Sequence, residues 1–321
     1  MFRIGIDLGG TKIAVGILDK QNRLLAQTQI ATLPRNPFAD VMARMAQALS
    51  ALMQTAGVKK EEVCGVGIGV PSSVHPKTGR LIFANNLGWR MADIRRAFQE
   101  QAQWDIPVFV ANDADCAALA EATLGAGSAF QSIFYVSLGT GFGGSLVQHR
   151  KLFLGGDGYG IEPGHSIFVH GGRRCTCGKQ GCLEAYASAT ALLSDAKAAL
   201  QECPGGTLWA LCAGDPGTLN GRMVFEAAKH GDETAKAVIR QYTDNLGAGV
   251  ASLITLFRPQ AVIVGGGLSG AGDILFGPLR SVAAGLIYAH DILPVPAILP
   301  AALGNSAGMV GAALLCGATE P

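Results

Sequence analysis

The sequence predicts an α/β protein made of two related lobes that share a cleft, and three observations lead there. A strand–turn–strand unit opens the chain, with residues 3–8 and 13–18 as strands around Gly9-Gly10. A second such unit comes later: Ile133 to Leu138, a turn at Gly139-Thr140-Gly141, and a return strand from Gly143. Pro107 to Ala111 is a short apolar strand that runs into Asn112-Asp113, just before a helix rich in alanine and leucine starting near Ala114. Polar residues at the carboxyl end of a strand, ahead of a helix, are where open α/β sheets place ligands. The apolar strand Ala261 to Val264 ends in a third glycine turn, Gly265-Gly266-Gly267.

The remaining elements follow from local pattern. Asn36-Pro37 reads as an N-cap with proline in the first turn; Val41, Met45, Leu49 and Leu52 then recur at helical spacing, and Gly57 is the stop. Residues 64–70 form a buried strand ended by Pro71, and a helix runs through residues 232–257. Ile292 to Thr319 carries no charge, but Pro294, Pro296, Pro300, Gly304, Asn305 and Gly308 interrupt it. That pattern fits a buried strand, a loop and a short core helix rather than a membrane span. The lobes are expected to comprise residues 1–115 with 305–321, and residues 116–304.

Bulk properties narrow the function classes. The chain has 321 residues, 49% of them hydrophobic and 15% charged, enough for two lobes with a substantial core. Lys+Arg 25 against Asp+Glu 24 leaves a formal charge of +1, which supplies no sequence-wide basic field for nucleic acid or an anionic membrane. Met1 to Asp7 already reads as a strand, so no cleaved signal peptide is expected and the cytoplasm is the expected location. Of the eight cysteines, Cys175, Cys177 and Cys182 cluster and the rest are scattered in apolar surroundings. Reduced thiols, with the cluster holding metal, are the simplest account. The 44 glycines fall in short clusters, which suggests tight turns where backbone approaches a ligand.

Asp7-Leu8-Gly9-Gly10-Thr11-Lys12 places a carboxylate, two glycines, a hydroxyl and an ammonium in one hairpin. Glycine lets backbone N–H groups face a phosphate, Thr11 and Lys12 can donate to its oxygens, and Asp7 could hold Mg²⁺ directly or through water. The segment is neither a P-loop, since the spacing from Gly5 to Lys12 is one residue too long, nor G-x-G-x-x-G, and a strand follows where a dinucleotide fold needs a helix. With Gly139-Thr140-Gly141 and Gly265-Gly266-Gly267 also following apolar strands, the three turns suit phosphate, phosphate and nucleoside. His165 with Cys175, Cys177 and Cys182 offers one imidazole and three thiols, a closed four-coordinate set suited to structural zinc. On spacing alone, His170 competes with His165 as the fourth ligand.

Together these motifs resemble the ROK family (repressors, open reading frames and kinases), within the fold superfamily of hexokinase, actin and the heat-shock ATPases. The matching residues are Asp7 to Lys12, Asn112-Asp113, Leu138 to Gly144, Glu162-Pro163-Gly164-His165, Cys175 to Glu184, and Gly265 to Gly267. The resemblance implies an actin/hexokinase-like (ribonuclease H-like) ATPase fold with a central cleft, ATP and Mg²⁺ as cofactors, and phosphorylation of a hexose hydroxyl. It implies that Asp113 is the catalytic base and that Asn86, Asn112, Glu162, His165 and Glu184 bind the sugar. Gly9 to Lys12 and Gly139 to Gly141 become the phosphate loops, and Gly265 to Gly267 the adenosine loop. It selects His165 over His170 as the zinc ligand and implies a homodimer or homotetramer.

The chain departs from the family pattern at Ser72-Ser73, where glycine usually follows the proline, and in Asn85-Asn86-Leu87-Gly88-Trp89, which lacks the proline common there. Glucose is the expected hexose, by overall likeness of that segment and of Cys175 to Glu184 to bacterial glucokinases. Fructose, mannose, N-acetylglucosamine and N-acetylmannosamine are the alternatives. Sugar-sensing repressors of the family carry a helix-turn-helix ahead of the first motif; here that motif starts at Asp7, so a DNA-binding role is not expected.

Overall fold

A computed structural model describes residues 1–33, 36–84 and 87–318. Strands β1 (Phe2–Leu8), β2 (Lys12–Leu18) and β3 (Leu24–Ala31) form an antiparallel meander. Helix α1 (Phe38–Ala56) follows, then β4 (Val63–Val70), laid parallel to β1. A small hairpin of β5 (Leu81–Ala84) and β6 (Trp89–Ala92) leads into α2 (Ile94–Ala102). Next come β7 (Val108–Asn112), parallel to β4, and α3 (Asp113–Thr123). The sheet order is β3-β2-β1-β4-β7. Ile4, Ile6, Val66 and Ile68 are fully enclosed in its middle strands, and α1 contributes Val41, Met42, Met45 and Leu49 to the same core.

The second sheet repeats this plan. Strands β8 (Ser132–Leu138), β9 (Phe142–Gln148) and β10 (Lys151–Phe153) come first. Helices α4 (Glu184–Ala187), α5 (Ala189–Glu202), α6 (Gly206–Leu211), α7 (Gly221–Lys229) and α8 (Glu233–Phe257) precede β11 (Ala261–Gly265). Helix α9 (Asp273–Leu286) separates β11 from β12 (Ala297–Pro300). The order is β10-β9-β8-β11-β12. Counted along the chain, both sheets read third, second, first, fourth, fifth, and in both the fourth strand is parallel to the first and to the fifth. Two glycine hairpins sharing a topology of this detail bear out the expectation of two related halves.

The charge-free C-terminal stretch becomes β12 and helix α10 (Ala307–Ala318), and no described helix is long and apolar enough to cross a membrane. Helix α10 lies against a row of glycines. Gly16, Gly5 and Gly67 stand in register on β2, β1 and β4. A Cβ at Gly67 would meet the Ala312 carbonyl at 1.7 Å, and one at Gly5 the Met309 carbonyl at 1.9 Å. On the helix, a Cβ at Gly311 would fall 1.6 Å from the carbonyl oxygen of Cys116 in α3. Each obstruction is backbone, which cannot rotate away. Gly67→Ala is therefore expected to cost about 3 kcal/mol or more. Gly57→Ala, whose φ is 69° in open space, should cost only about 1 kcal/mol. Urea denaturation of the two variants checks the contrast.

Two compact units result, Met1–Gln131 with Ser145–Ile161 and Ala302–Pro321, and Ser132–Gly144 with Glu162–Ala301. The boundary differs from that expected at residue 115, because α3 packs against α10 closely enough to require Gly311. The start of α1 also differs from expectation. Pro37, with ψ 145°, stands outside the helix, no side chain caps it, and the first helical residue is Phe38. The Pro37 carbonyl accepts the first helical hydrogen bonds, from Asp40 N at 3.0 Å and Val41 N at 3.3 Å, so Pro37 itself takes the capping position expected of Asn36. The other end is as expected, with Gly57 in the left-handed conformation.

Candidate active site

In the first unit, β1 and β7 both run parallel to β4, so their carboxyl ends lie on one edge of the sheet. Asp7 and Ala111 are each in register with Gly69, two strand spacings apart, or about 10 Å. Asp7 closes β1, and Gly9 donates its N–H to the Lys12 carbonyl at 2.9 Å, leaving Gly10 and Thr11 as the tip of a two-residue hairpin. Thr32 braces that tip: its hydroxyl donates to the Gly9 carbonyl at 2.7 Å and its N–H to the Thr11 carbonyl at 3.0 Å. No local signal marks Thr32; reading Leu24 to Ala31 as an alternating strand would have led to it.

Asn112 is the N-cap of α3. Its Oδ1 accepts from Ala114 N at 2.7 Å and Asp115 N at 3.4 Å, and its Nδ2 donates to the Ser72 carbonyl at 3.3 Å. An amide nitrogen has two hydrogens, so this anchoring leaves one donor for another group. Asp113 begins the helix, with Oδ1 accepting from Ala114 N at 2.8 Å. Burial first, and then the carboxylates of Asp115, Asp7 and Asp113, push the Cys116 thiol well above its usual range. Ser72 is buried and fixed by its own hydrogen bonds to Ser73 O and from Phe83 N. Asn86 lies outside the described residues.

Burial raises the pKa of Asp7 from 3.8 to about 6, against the opposing charge of Lys12. The folded-state value lies above the unfolded one, so this acid favours folding when protonated, and that contribution is lost as pH rises through about 6. Asn cannot ionise. In magnesium-free buffer, Asp7→Asn is expected to gain about 3 kcal/mol in stability on the wild type between about pH 4 and about pH 8. Urea denaturation of both proteins across that range measures the gap.

In the second unit, Gly139-Thr140-Gly141 links β8 to β9, and Gly139 N donates to Gly141 O at 3.1 Å. Thr190 braces this turn as Thr32 does the first, donating its hydroxyl to the Thr140 carbonyl at 2.6 Å. The turn at Gly265 to Gly267 folds over the end of β8: Gly266 has φ 86°, and a Cβ there would lie 2.5 Å from the Leu138 carbonyl. Both expected nucleotide turns of this unit are thus neighbours.

Glu184, the first residue of α4, joins the glycine turn to the cysteine loop. Its Oε2 accepts from Phe142 N at 3.1 Å, and its Oε1 accepts from Thr176 Oγ1 at 2.8 Å and Cys175 Sγ at 3.4 Å. A Cβ at Gly141 would meet Oε2, so a larger residue there would have to displace the Glu184 carboxylate. Glu162 precedes the 3₁₀ turn Pro163–His165, and its carbonyl accepts from His165 N at 3.0 Å.

The donor atoms of His165, Cys175, Cys177 and Cys182 all lie within 4.8 Å of one another. Cys177 and Cys182 sulfurs are 3.6 Å apart, and Cys175 Sγ is 3.7 Å from His165 Nδ1. Tetrahedral zinc with bonds of about 2.3 Å places sulfurs about 3.8 Å apart, so this donor set could hold a metal such as zinc. The cluster contains His165 and not His170.

Two sheets of one unusual order, each opened by a braced glycine hairpin, define an actin/hexokinase-like fold. The chain belongs to the ROK family, which it matches over residues 3–319. It is 37% identical over 320 residues to a glucokinase of Streptomyces coelicolor, spanning 99% of this chain and 98% of that one. A glucokinase of Thermotoga maritima is 36% identical over 311 residues, 97% of this chain and 95% of its own. The crystal structure of a ROK family glucokinase from Streptomyces griseus in complex with glucose and AMPPNP superposes with a TM-score of 0.86 at 36% identity, covering 98% of this chain and 99% of that one.

Proposed function

We propose that this protein is a cytoplasmic ATP-dependent hexose kinase that transfers the terminal phosphoryl group of ATP to a hydroxyl of glucose. The observation that carries the reading is the pairing of Asn112-Asp113 at the end of β7 with Asp7 and its glycine hairpin on the same sheet edge, in a chain that matches the Streptomyces coelicolor and Thermotoga maritima glucokinases over nearly its full length.

Phosphoryl transfer through a loose transition state needs positioning and charge neutralisation more than covalent help. A sugar hydroxyl is a weak acid, and Asp113 takes its proton as the new P–O bond forms. The remaining Asn112 amide hydrogen orients that hydroxyl, while Asn86, Glu162, His165 and Glu184 hold the rest of the sugar. Oε2 of Glu184 has a lone pair beyond the one that Phe142 N takes and can accept a sugar hydroxyl. Backbone N–H groups of Gly9 to Lys12 and Gly139 to Gly141 grip the phosphates, and Gly265 to Gly267 leave room for the nucleoside. Asp7 would hold Mg²⁺, directly or through water, which neutralises phosphate charge when bound.

Zinc at His165, Cys175, Cys177 and Cys182 would be structural. With Nδ1 of His165 directed at the metal, Nε2 faces the sugar with its tautomer fixed. The exposed Leu256, Leu286, Tyr288 and Ile292 of the second unit support assembly into a homo-oligomer.

ADP release on addition of each of glucose, fructose, mannose, N-acetylglucosamine and N-acetylmannosamine tests the reading. Glucose should give the highest kcat/KM. A higher value for another sugar reassigns the substrate, and no ADP release with any of them rejects the activity.

A further inference from the structure

Beside β7 the first unit holds a cavity of about 430 Å³, walled by that strand, the turn at residues 74–79, the start of α2 and the segment from β10 onward. A space of that size is enough for a small ligand such as a substituted monosaccharide. Its charge is unbalanced. Arg95 lines it and makes no hydrogen bond or ion pair among the described residues, and its Nε is buried without an acceptor. The acid nearest to it in sequence, Asp93, is already taken up by Arg80 at 3.5 Å and by capping Arg96 N at 3.1 Å. Lys151 adds a second cation. The other titratable side chains lining the cavity are His75 and Asp115, and the Asp115 carboxylate accepts from Ser145 Oγ at 2.6 Å.

The rest of the lining is of a different character. Asp115 presents a carboxylate, a group that hydrogen-bonds hydroxyls. Tyr159, packed edge-on to His75 at 5.6 Å, offers an aromatic ring to the apolar face of a sugar. A bare oxyanion would leave those groups unused, and a neutral sugar would leave two cations facing a single carboxylate.

We propose that this cavity is a binding site for a phosphorylated sugar, with the phosphate received by Arg95 and Lys151 and the hydroxyls by Asp115. The guanidinium fork and the lysine ammonium together suit a phosphomonoester dianion. The site is separate from the phosphate turns at Gly9 to Lys12 and Gly139 to Gly141, none of whose residues line it.

Calorimetric titration of glucose 6-phosphate into the full chain, with saturating glucose present and no nucleotide, tests the proposal, because glucose keeps the ligand out of the catalytic sugar site. One equivalent is expected to bind. Its Kd should rise about tenfold or more in Arg95→Gln and in Lys151→Gln, while kcat and KM for glucose stay within about twofold. Inorganic phosphate should bind about tenfold more weakly than the ester. Absence of binding beside glucose, an unchanged Kd in the variants, or equal affinity for inorganic phosphate would each overturn it. Lys151 is exposed, so its variant decides the matter if Arg95→Gln does not fold. Binding that behaves as expected in a protein unable to phosphorylate glucose would reject the kinase reading and leave this site standing.

Discussion

Asp113→Asn is expected to lower kcat for hexose phosphorylation by about 10²- to 10⁴-fold, the usual contribution of general-base assistance. KM for glucose should change little, since the amide still fills the space and still accepts from Ala114 N as Oδ1 does now at 2.8 Å. Stability should hold as well, because the Asn112 side chain, and not that of Asp113, caps α3. Stopped assays of ADP release and a thermal melt of the same preparation measure the three together. A variant that keeps near-wild-type kcat would remove Asp113 from the proton transfer. One that melts far below the wild type would turn the residue into a structural one.

The second large effect concerns the cysteine loop. Stripping metal with a chelator is expected to raise KM for glucose by about 10- to 100-fold in whatever fraction stays folded, and to lower the melting temperature. The route runs through named atoms. Thr176 lies between Cys175 and Cys177, and its hydroxyl holds Glu184 Oε1, while Glu184 Oε2 holds Phe142 N beside the glycine turn. Loss of the clamp frees Thr176, then Glu184, then the turn. His165 loses its fixed tautomer at the same moment. Readdition of zinc should restore KM. If stability falls and KM for glucose does not move, the cluster only staples its loop.

How much of this could be read from residues in order depends on the range over which each signal acts. Gly57, the strands at 3–8 and 133–138, the helix ending at Phe257 and the interrupted apolar tail are local, and each is where its neighbours in sequence put it. The glycines tell a mixed story. Gly9-Gly10, Gly139 to Gly141 and Gly266 form turns, as their clustering suggests. Gly5, Gly16 and Gly67 instead form a row that admits α10, a role set by strand register between positions far apart in the chain. Thr32 and Thr190 carry no local signal for the same reason, because each braces a carbonyl more than twenty residues away. Asn112 was legible as a ligand position. The structure shows that it also caps α3, and its spare amide hydrogen keeps the ligand role open. At Asn36 the local rule for proline misplaced the cap by one residue.

Transfer of a phosphoryl group from ATP to a sugar oxygen is read from its product. Phosphorus NMR of a mixture of the protein, magnesium, ATP and glucose should develop a phosphomonoester signal coupled to the protons on carbon six of the sugar, growing as ADP grows. An ADP signal that rises with inorganic phosphate alone, with no ester, would mean that the triphosphate is hydrolysed and that no sugar hydroxyl is ever the acceptor.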